Sequence, residues 1–459
     1  MSGIHGIFNT ARVALSTQQM GIEITGNNIA NVNTPGYSRQ RVNLVTSEPV
    51  LSTIGSMGTG VEVKEIQRIY DQFLSAQINE ENSKTGRWES KRGALEKTEM
   101  IFDAASGSGL SQRMSEFWNG WQDLANNPIG QTERVALVAK SETMILSFNQ
   151  VSSDLQQTQQ EMNVSIKGTV ENINLLTSQI ADFNYKIASM EAESRNANNY
   201  RDQQELLIKD LSLLMDIKTF ENSNGATTVL TGTGRALVEN VFTSDLAVIP
   251  DVNGFYNVGF KDNTTATTDI STELSGGKLK GWLDARDEIA GYLTRLDTMA
   301  GTLITQVNTL HQGGFDLAGA AGEVFFTGTT AADIAVNSNI INDPNLVAAA
   351  ATAAPGDNTN ALAIADLQNT SMVALGTATF DDYYNSIVNN VGTDVREASS
   401  NHEHQLSMMN HLDDYRESVS GVSLDEEMVN MIKFQHAYDA SAKMIQVANE
   451  MLETLIRML

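Results

Sequence analysis

The stretch NHEHQLSMMNHLDD, residues 401–414, places His402, His404 and His411 beside Glu403, Asp413 and Asp414. Imidazole and carboxylate together are the usual ligands of a zinc centre. On a helix such centres use pairs three or four residues apart plus a third ligand. His404 and His411 are seven apart and share a face, whereas His402 is rotated away, so the spacing points to a polar cluster rather than to a metal. Glycine-rich pieces occur at 55–60, 231–235 and 313–322. None carries the lysine and hydroxyl of a phosphate-binding loop, or the strand, glycine turn, helix and acid of a dinucleotide site, so they read as turns. No Gly-x-Ser-x-Gly elbow is present. Asn163-Val164-Ser165 and Asn263-Thr264-Thr265 match a glycan acceptor pattern, one that arises readily by chance. An asparagine cluster, Asn27, Asn28, Asn31 and Asn33, lacks a nearby general base. The residues offer no catalytic constellation, no cofactor site and no metal site.

Composition narrows the partners. With 30 basic residues against 56 acidic ones in 459, the formal charge is −26, and no basic patch exists to grip nucleic acid. Cysteine is absent, which removes disulfides and thiolate chemistry. No apolar run has the roughly 18–20 residues needed to cross a bilayer, so membrane insertion is not expected. The opening MSGIHGIFNTARVAL lacks a basic segment followed by an apolar block, so a Sec-type signal peptide is not expected either.

The elements around these residues carry more information. A stripe of threes and fours runs Ile4, Phe8, Ala11, Leu15, Gln18, Ile22, Thr25, Ile29. A similar one runs Leu424, Met428, Met431, Phe434, Tyr438, Ala442, Ile445, Ala448, Leu452, Leu455, Leu459. Both are narrow seams of the coiled-coil kind. Ser423 precedes Asp425 and Glu426 as an N-cap with acids in the first turn. Methionines 408, 409, 428, 431, 444, 451 and 458 suit adaptable packing along such a seam. Second apolar stripes, Ile7, Ala14 and Gly21 on one helix and Val429, Ile432, Val447 and Met451 on the other, exceed what one partner covers. The terminal helices are therefore expected to order fully only against neighbouring subunits. A membrane-surface helix is the rival reading, but the carboxyl-terminal stripe has only Lys433, Lys443 and Arg457 against six acids.

Between the seams, alternating residues 41–66 predict a hairpin, and 67–215 predict helices interrupted at Asn127-Pro128. Residues 217–276 predict a small β domain, 279–312 a helix, and 313–360 short β-prone pieces before helices resume. After Ile29 the asparagines favour leaving the helix. Thr34 before Pro35 is pushed extended, and Pro35-Gly36 fits the centre of a type II turn leading to Tyr37. The fold class expected is mainly α with a β insertion: terminal helices paired as a coiled coil, a long helical bundle with a β-hairpin element, and a small outer β domain. The domains expected are 1–40 with 420–459, 41–216 with 277–419, and 217–276.

NNIANVNTPGY, residues 27–37, resembles the amino-terminal signature of bacterial flagellar axial proteins, the rod, hook and hook-associated proteins. The continuation Ser38-Arg39-Gln40-Arg41-Val42 and the carboxyl-terminal SGVSLDEEMVNMIKFQHAYDASAKMIQVANEMLETLIRML are similar to hook–filament junction members of that family. NNYRDQQELLIKDLS (198–212) and GDNTNALAIADLQ (356–368) agree. The resemblance implies a non-enzymatic structural subunit, exported unfolded and assembled as a ring at the distal end of the hook. It implies hook protein below, the second junction protein above, and an export chaperone on the carboxyl-terminal helix. Its assembly interface would comprise the two seams together with Asn28, Asn31, Thr34, Pro35, Gly36 and Tyr37. The middle of the chain has room for about one outer β domain, where longer relatives carry more. Two alternatives stay open: a secreted adhesin or effector borrowing axial-type ends for export, or a hook or rod protein, whose β-rich middle the helical 67–215 does not match.

Overall fold

The computed structural model describes all residues except 1, 53–54, 105–108, 194, 263–265, 355 and 459. The Asn263 glycan pattern and the seam position Leu459 lie outside the described residues. The chain is mainly helical, with small antiparallel sheets inserted between the helices.

Helix α1 (Ser2–Ala30) is followed by an arm built from two nested hairpins. Strand β1 (Gln40–Thr46) pairs antiparallel with β4 (Val61–Arg68), and β2 (Val50–Ser52) pairs with β3 (Gly55–Met57) at the tip. The helical body comprises α2 (Gln72–Ala104), α3 (Leu110–Asn126), α4 (Gln131–Glu191), α5 (Asn198–Leu214) and α6 (Gly277–Gly313). After short strands β12 (Phe326–Thr327) and β13 (Ala335–Val336) and short helices α7 (Ser338–Asn342) and α8 (Thr359–Asp366), it ends with α9 (Phe380–Ser420). The last helix, α10 (Leu424–Met458), packs along α1.

Two apolar cores divide the body. The first gathers α2, α3, the start of α4, α6, α9 and the 325–375 segment. At its centre lie Phe117, Trp118, Trp121, Phe325, Phe326 and Phe380, almost wholly removed from water. On α3 the buried set Leu110, Met114, Phe117, Trp118, Trp121, Leu124 recurs every three or four residues, which is why one face of this short helix is all core. The second core gathers the remainder of α4, α5 and the start of α6 against the β segment. That segment holds a four-stranded sheet, β5 (Ile217–Glu221), β6 (Thr227–Thr231), β7 (Ala236–Glu239) and β8 (Phe242–Thr243). It also holds a three-stranded one, β9 (Asp245–Pro250), β10 (Tyr256–Lys261) and β11 (Thr267–Asp269).

The β segment does not have a core of its own. Val229, Leu237, Val238, Leu246, Val258 and Phe260 pack on Ile166, Val170, Ile173, Ile208 and Leu211 of the helices. Strands this short offer too little apolar area to stand alone, so the sheets are built onto the long helix. Helix α4 is about 90 Å long at 1.5 Å per residue and supplies one face to both cores.

Candidate assembly site at the terminal helix pair

Helices α1 and α10 run antiparallel, with Asn28 beside Glu427 and Gly21 against Phe434. Small residues form the buried face of α1: Ala11, Thr17, Gly21, Thr25 and Asn28. A Cβ at Gly21 would lie 2.7 Å from the Phe434 ring, so glycine is what allows that ring to seat. The facing surface of α10 is Glu427, Met431, Phe434, Tyr438, Ser441, Ile445 and Ala448.

This face is rotated from the expected seam. Ala11 and Thr25 lie at its centre, but Ile4, Phe8, Leu15, Ile22 and Ile29 are half-buried flanks. On α10 Met431, Phe434, Tyr438 and Ile445 face α1 or its edge, whereas Leu424, Met428, Leu452 and Leu455 are exposed, and Ser441 is buried where Ala442 was expected. A straight helix drifts about 20° per heptad from a 3.5-residue repeat, so a strict seam slides off the contact line over five turns. Gly21, assigned to a second stripe, is instead central. Of the remaining members of those stripes, Ala14 is half-buried and Ile7, Val429, Ile432, Val447 and Met451 are exposed. Helix α10 thus carries two apolar patches, Leu424 to Ile432 and Met444 to Met458, that no described residue of this chain covers.

The turn after α1 forms as its residues dictate. Tyr37 N–H donates to Thr34 O at 3.2 Å, closing the four-residue turn, and Gly36 has φ +76°. A side chain at Gly36 would also meet Leu206 at 2.5 Å. Asn31 Nδ2 donates to Asn27 O at 2.9 Å, and Thr34 Oγ1 donates to Asn31 Oδ1 at 3.1 Å, tying off the helix end. Pro35 is exposed.

Beyond the turn the chain enters a buried polar hub. Asn28, 1% exposed, is fully satisfied. Its Nδ2 donates to Gln40 O and Glu427 Oε2, both at 2.9 Å, while its Oδ1 accepts from Tyr37 Oη at 2.8 Å and Gln40 N at 3.0 Å. Arg39 grips both Glu427 (2.6 Å) and Glu426 (2.6 Å). Burial pulls the Arg39 guanidinium down, but these two carboxylates outweigh it and leave it raised. The Tyr37 hydroxyl is pushed up to about 12, first by burial and then by Asp202 and Glu427. On the other side, Ser38 N–H donates to Asp202 Oδ2 at 3.2 Å and Gln40 Nε2 to Asn199 Oδ1 at 2.9 Å. Arg68 binds Asp202 and Glu205, both at 2.9 Å, with its guanidinium 4.1 Å above the Tyr70 ring. One short segment therefore locks α1, α10, the hairpin arm and α5 together. Asp202 and Glu205 sit within the 198–212 stretch that carried the family resemblance, but their partners are over a hundred residues away and could not be read locally.

The N-cap contact at Ser423 is long, with Glu426 N–H 3.5 Å from its Oγ. The histidines of 402–411 do not converge: His402 is turned inward with its Nδ1 3.0 Å from Arg92 Nη1, while His404 and His411 are exposed. Asn163 serves the fold, donating to Gly254 O and accepting from Tyr256 N.

Paired terminal helices joined to a helical body through such a signature define the class, an axial protein of the bacterial flagellum. Its family assignment follows from similarity along the whole chain. Residues 95–326 match the helical domain of flagellar hook-associated protein FlgK. Residues 8–37 match the flagella basal body rod protein family, and 416–458 the rod FlgEFG carboxyl-terminal family. Flagellar hook-associated protein 1 of Bacillus subtilis is 32% identical over 97% of this chain and 97% of its own. The Escherichia coli protein of that name is 25% identical over 98% and 99%, and its alignment runs over 542 positions, so the relative carries insertions that this chain lacks. The flagellar hook junction protein FlgK from Burkholderia pseudomallei shares the fold, with TM-score 0.67 and 16% identity over 75% of this chain and 100% of that one. The chain belongs to the flagellar hook-associated protein 1 family. It is a structural component of the bacterial flagellum, and none of its described helices is long and apolar enough to cross a membrane.

Proposed function

We propose that the chain is the subunit of a ring at the hook–filament junction, exported unfolded and assembled outside the cell through its terminal helices. The observation that carries this reading is the uncovered apolar surface of α10, Leu424, Met428 and Ile432 towards one end and Val447 and Leu455 towards the other. A helix pinned along one face by α1 and bare along another has room for a neighbour's helix. The proposed assembly interface comprises this surface, the flanking Ile4, Phe8, Leu15, Ile22 and Ile29, and the exposed turn at Thr34 and Pro35. Hook protein lies below and the second junction protein above, and an export chaperone holds α10 before assembly. The part played is structural, without catalysis. The division into 1–40 with 420–459, 41–216 with 277–419, and 217–276 orders these parts from the channel outward.

A strain lacking the chain tests the reading. It should keep its hooks and shed flagellin into the medium, and the cloned chain should restore filaments. Normal filaments in its absence would eliminate the proposal. Pull-down of the soluble chain with hook protein, lost on removal of residues 1–40, separates interface from bystander surface.

A further inference from the structure

Strand β5 is an edge strand, hydrogen-bonded among the described strands only to β6. Gly232 N–H bonds Asp216 O at 3.0 Å, and Asn222 N–H bonds Ala226 O at 2.8 Å. Antiparallel pairs alternate between bonded and unbonded residues, so the even residues 216, 218, 220 and 222 serve the ladder. The main-chain groups of Ile217, Thr219 and Glu221 therefore point away from the sheet. Ile217 and Thr219 line a groove of about 720 Å³ between β5 and α2, walled by Ala76, Ser83, Trp88 and Gly276. Ser83, 4% exposed, borders the same space, and its buried hydroxyl has no partner among the described residues. Lys84, Arg87 and Lys218 also line it, against Glu80 and Asp216. Lys84 and Arg87 have acidic partners, but no described carboxylate lies within ion-pair distance of Lys218. Once those partners are counted the slot holds no excess positive charge, and Lys218 is its one cation without a described acidic partner, beside an open strand edge.

An open edge beside a groove takes an extended segment as an added strand, its main chain pairing and alternate side chains filling the wall. The hairpin arm can offer Lys218 an acidic partner. From Val42 to Val63 the sequence contains Glu48 and Glu62 and no basic residue. Its tip is a two-stranded ribbon with Val50 and Met57 exposed. The arm cannot fold back into its own groove. Thr10 Oγ1 donates to Thr59 O at 3.1 Å, which holds the tip end on α1. Strand β4 alone spans about 26 Å at 3.3 Å per residue between that anchor and Arg68, which borders the other end of β5.

We propose that the open edge of β5 receives the β2–β3 tip of the hairpin arm from a second copy of this chain, extending the four-stranded sheet across the subunit boundary. This rests on the reading that copies assemble side by side.

The absence of cysteine makes the test direct. A chain carrying Met57→Cys and Lys218→Cys replaces the native copy in cells, and flagella are isolated and oxidised. The expected result is a ladder of disulfide-linked oligomers on a non-reducing gel, lost when Thr219→Pro is added. That change removes an outward N–H and leaves the bonds to β6 in place. Incorporated chains that give no more cross-linking than a Met57→Cys, Val252→Cys control overturn the proposal. Ser56→Cys with Thr219→Cys repeats the test if the first pair fails to incorporate. Absence of even the unmodified chain from flagella would overturn the assembly reading instead.

Discussion

At the scale of single residues, Asn28 and Glu427 show how a signature that looks like a turn is a tertiary lock. The two are 399 positions apart and 2.9 Å from one another. Asn28→Asp should set two carboxylates face to face and free the hub, costing about 3–5 kcal/mol, as for other broken buried charge networks. Adding Glu427→Gln restores an amide–carboxylate pair with the roles exchanged. Thermal melts of isolated flagella carrying the single and double variants check this, with partial recovery expected in the double variant because Glu427→Gln removes the ion pair with Arg39 and Asn28→Asp removes the donor to Gln40 O. His311 gives a second prediction. Its ring is buried, with Nε2 accepting from Ala348 N at 2.9 Å and Nδ1 facing Glu323 O, so the neutral tautomer fits. Burial is the main cause that lowers it from 6.5 to about 4. The unfolded chain then binds the extra proton at higher pH than the folded one. Stability is full above 6.5 and falls as pH drops toward 4, by about 3 kcal/mol in all. Urea unfolding between pH 7 and 4.5 should show that slope, and His311→Gln should flatten it.

At the scale of elements, the helix pair rests on close approach rather than on large interlocking side chains. Gly21→Leu should force α1 off Phe434, whereas Gly6→Ala, with nothing within 4 Å, should be neutral or slightly stabilising. Protease resistance of residues 1–40 in isolated flagella and swimming in complemented cells distinguish the two. Elements were also where the sequence was most legible. Periods of 3.6 and 2 marked the helices on either side of Asn127-Pro128, the hairpin, and the β segment after Met215. Thr34-Pro35-Gly36 specified its own turn. Rotation was not legible, because a stripe of threes and fours does not say whether Ile22 or Gly21 faces the partner. The hub was hidden for a different reason: Arg39, Asp202 and Glu427 are ordinary surface-type residues until three distant segments meet.

At the scale of the whole molecule, the uncovered apolar surface of α10 predicts unequal stability. In dilute monomer, amide exchange should be fast across residues 1–35 and 425–458 and slow in α3 and the start of α4, with protection of the termini gained on assembly. Slow exchange of the termini in the monomer would mean that they need no neighbour. The body has the opposite character. Helix α4 runs unbroken through both cores and α6 also joins them, so bending between the two would have to break long helical ladders. In a rotating filament that makes the body a stiff strut. On the proposed reading of a junction subunit, load passing between the terminal helices and the body crosses the Arg39 linkage and the Gly421 break before α10. A polar knot a few residues wide is thus the mechanical coupling between two rods.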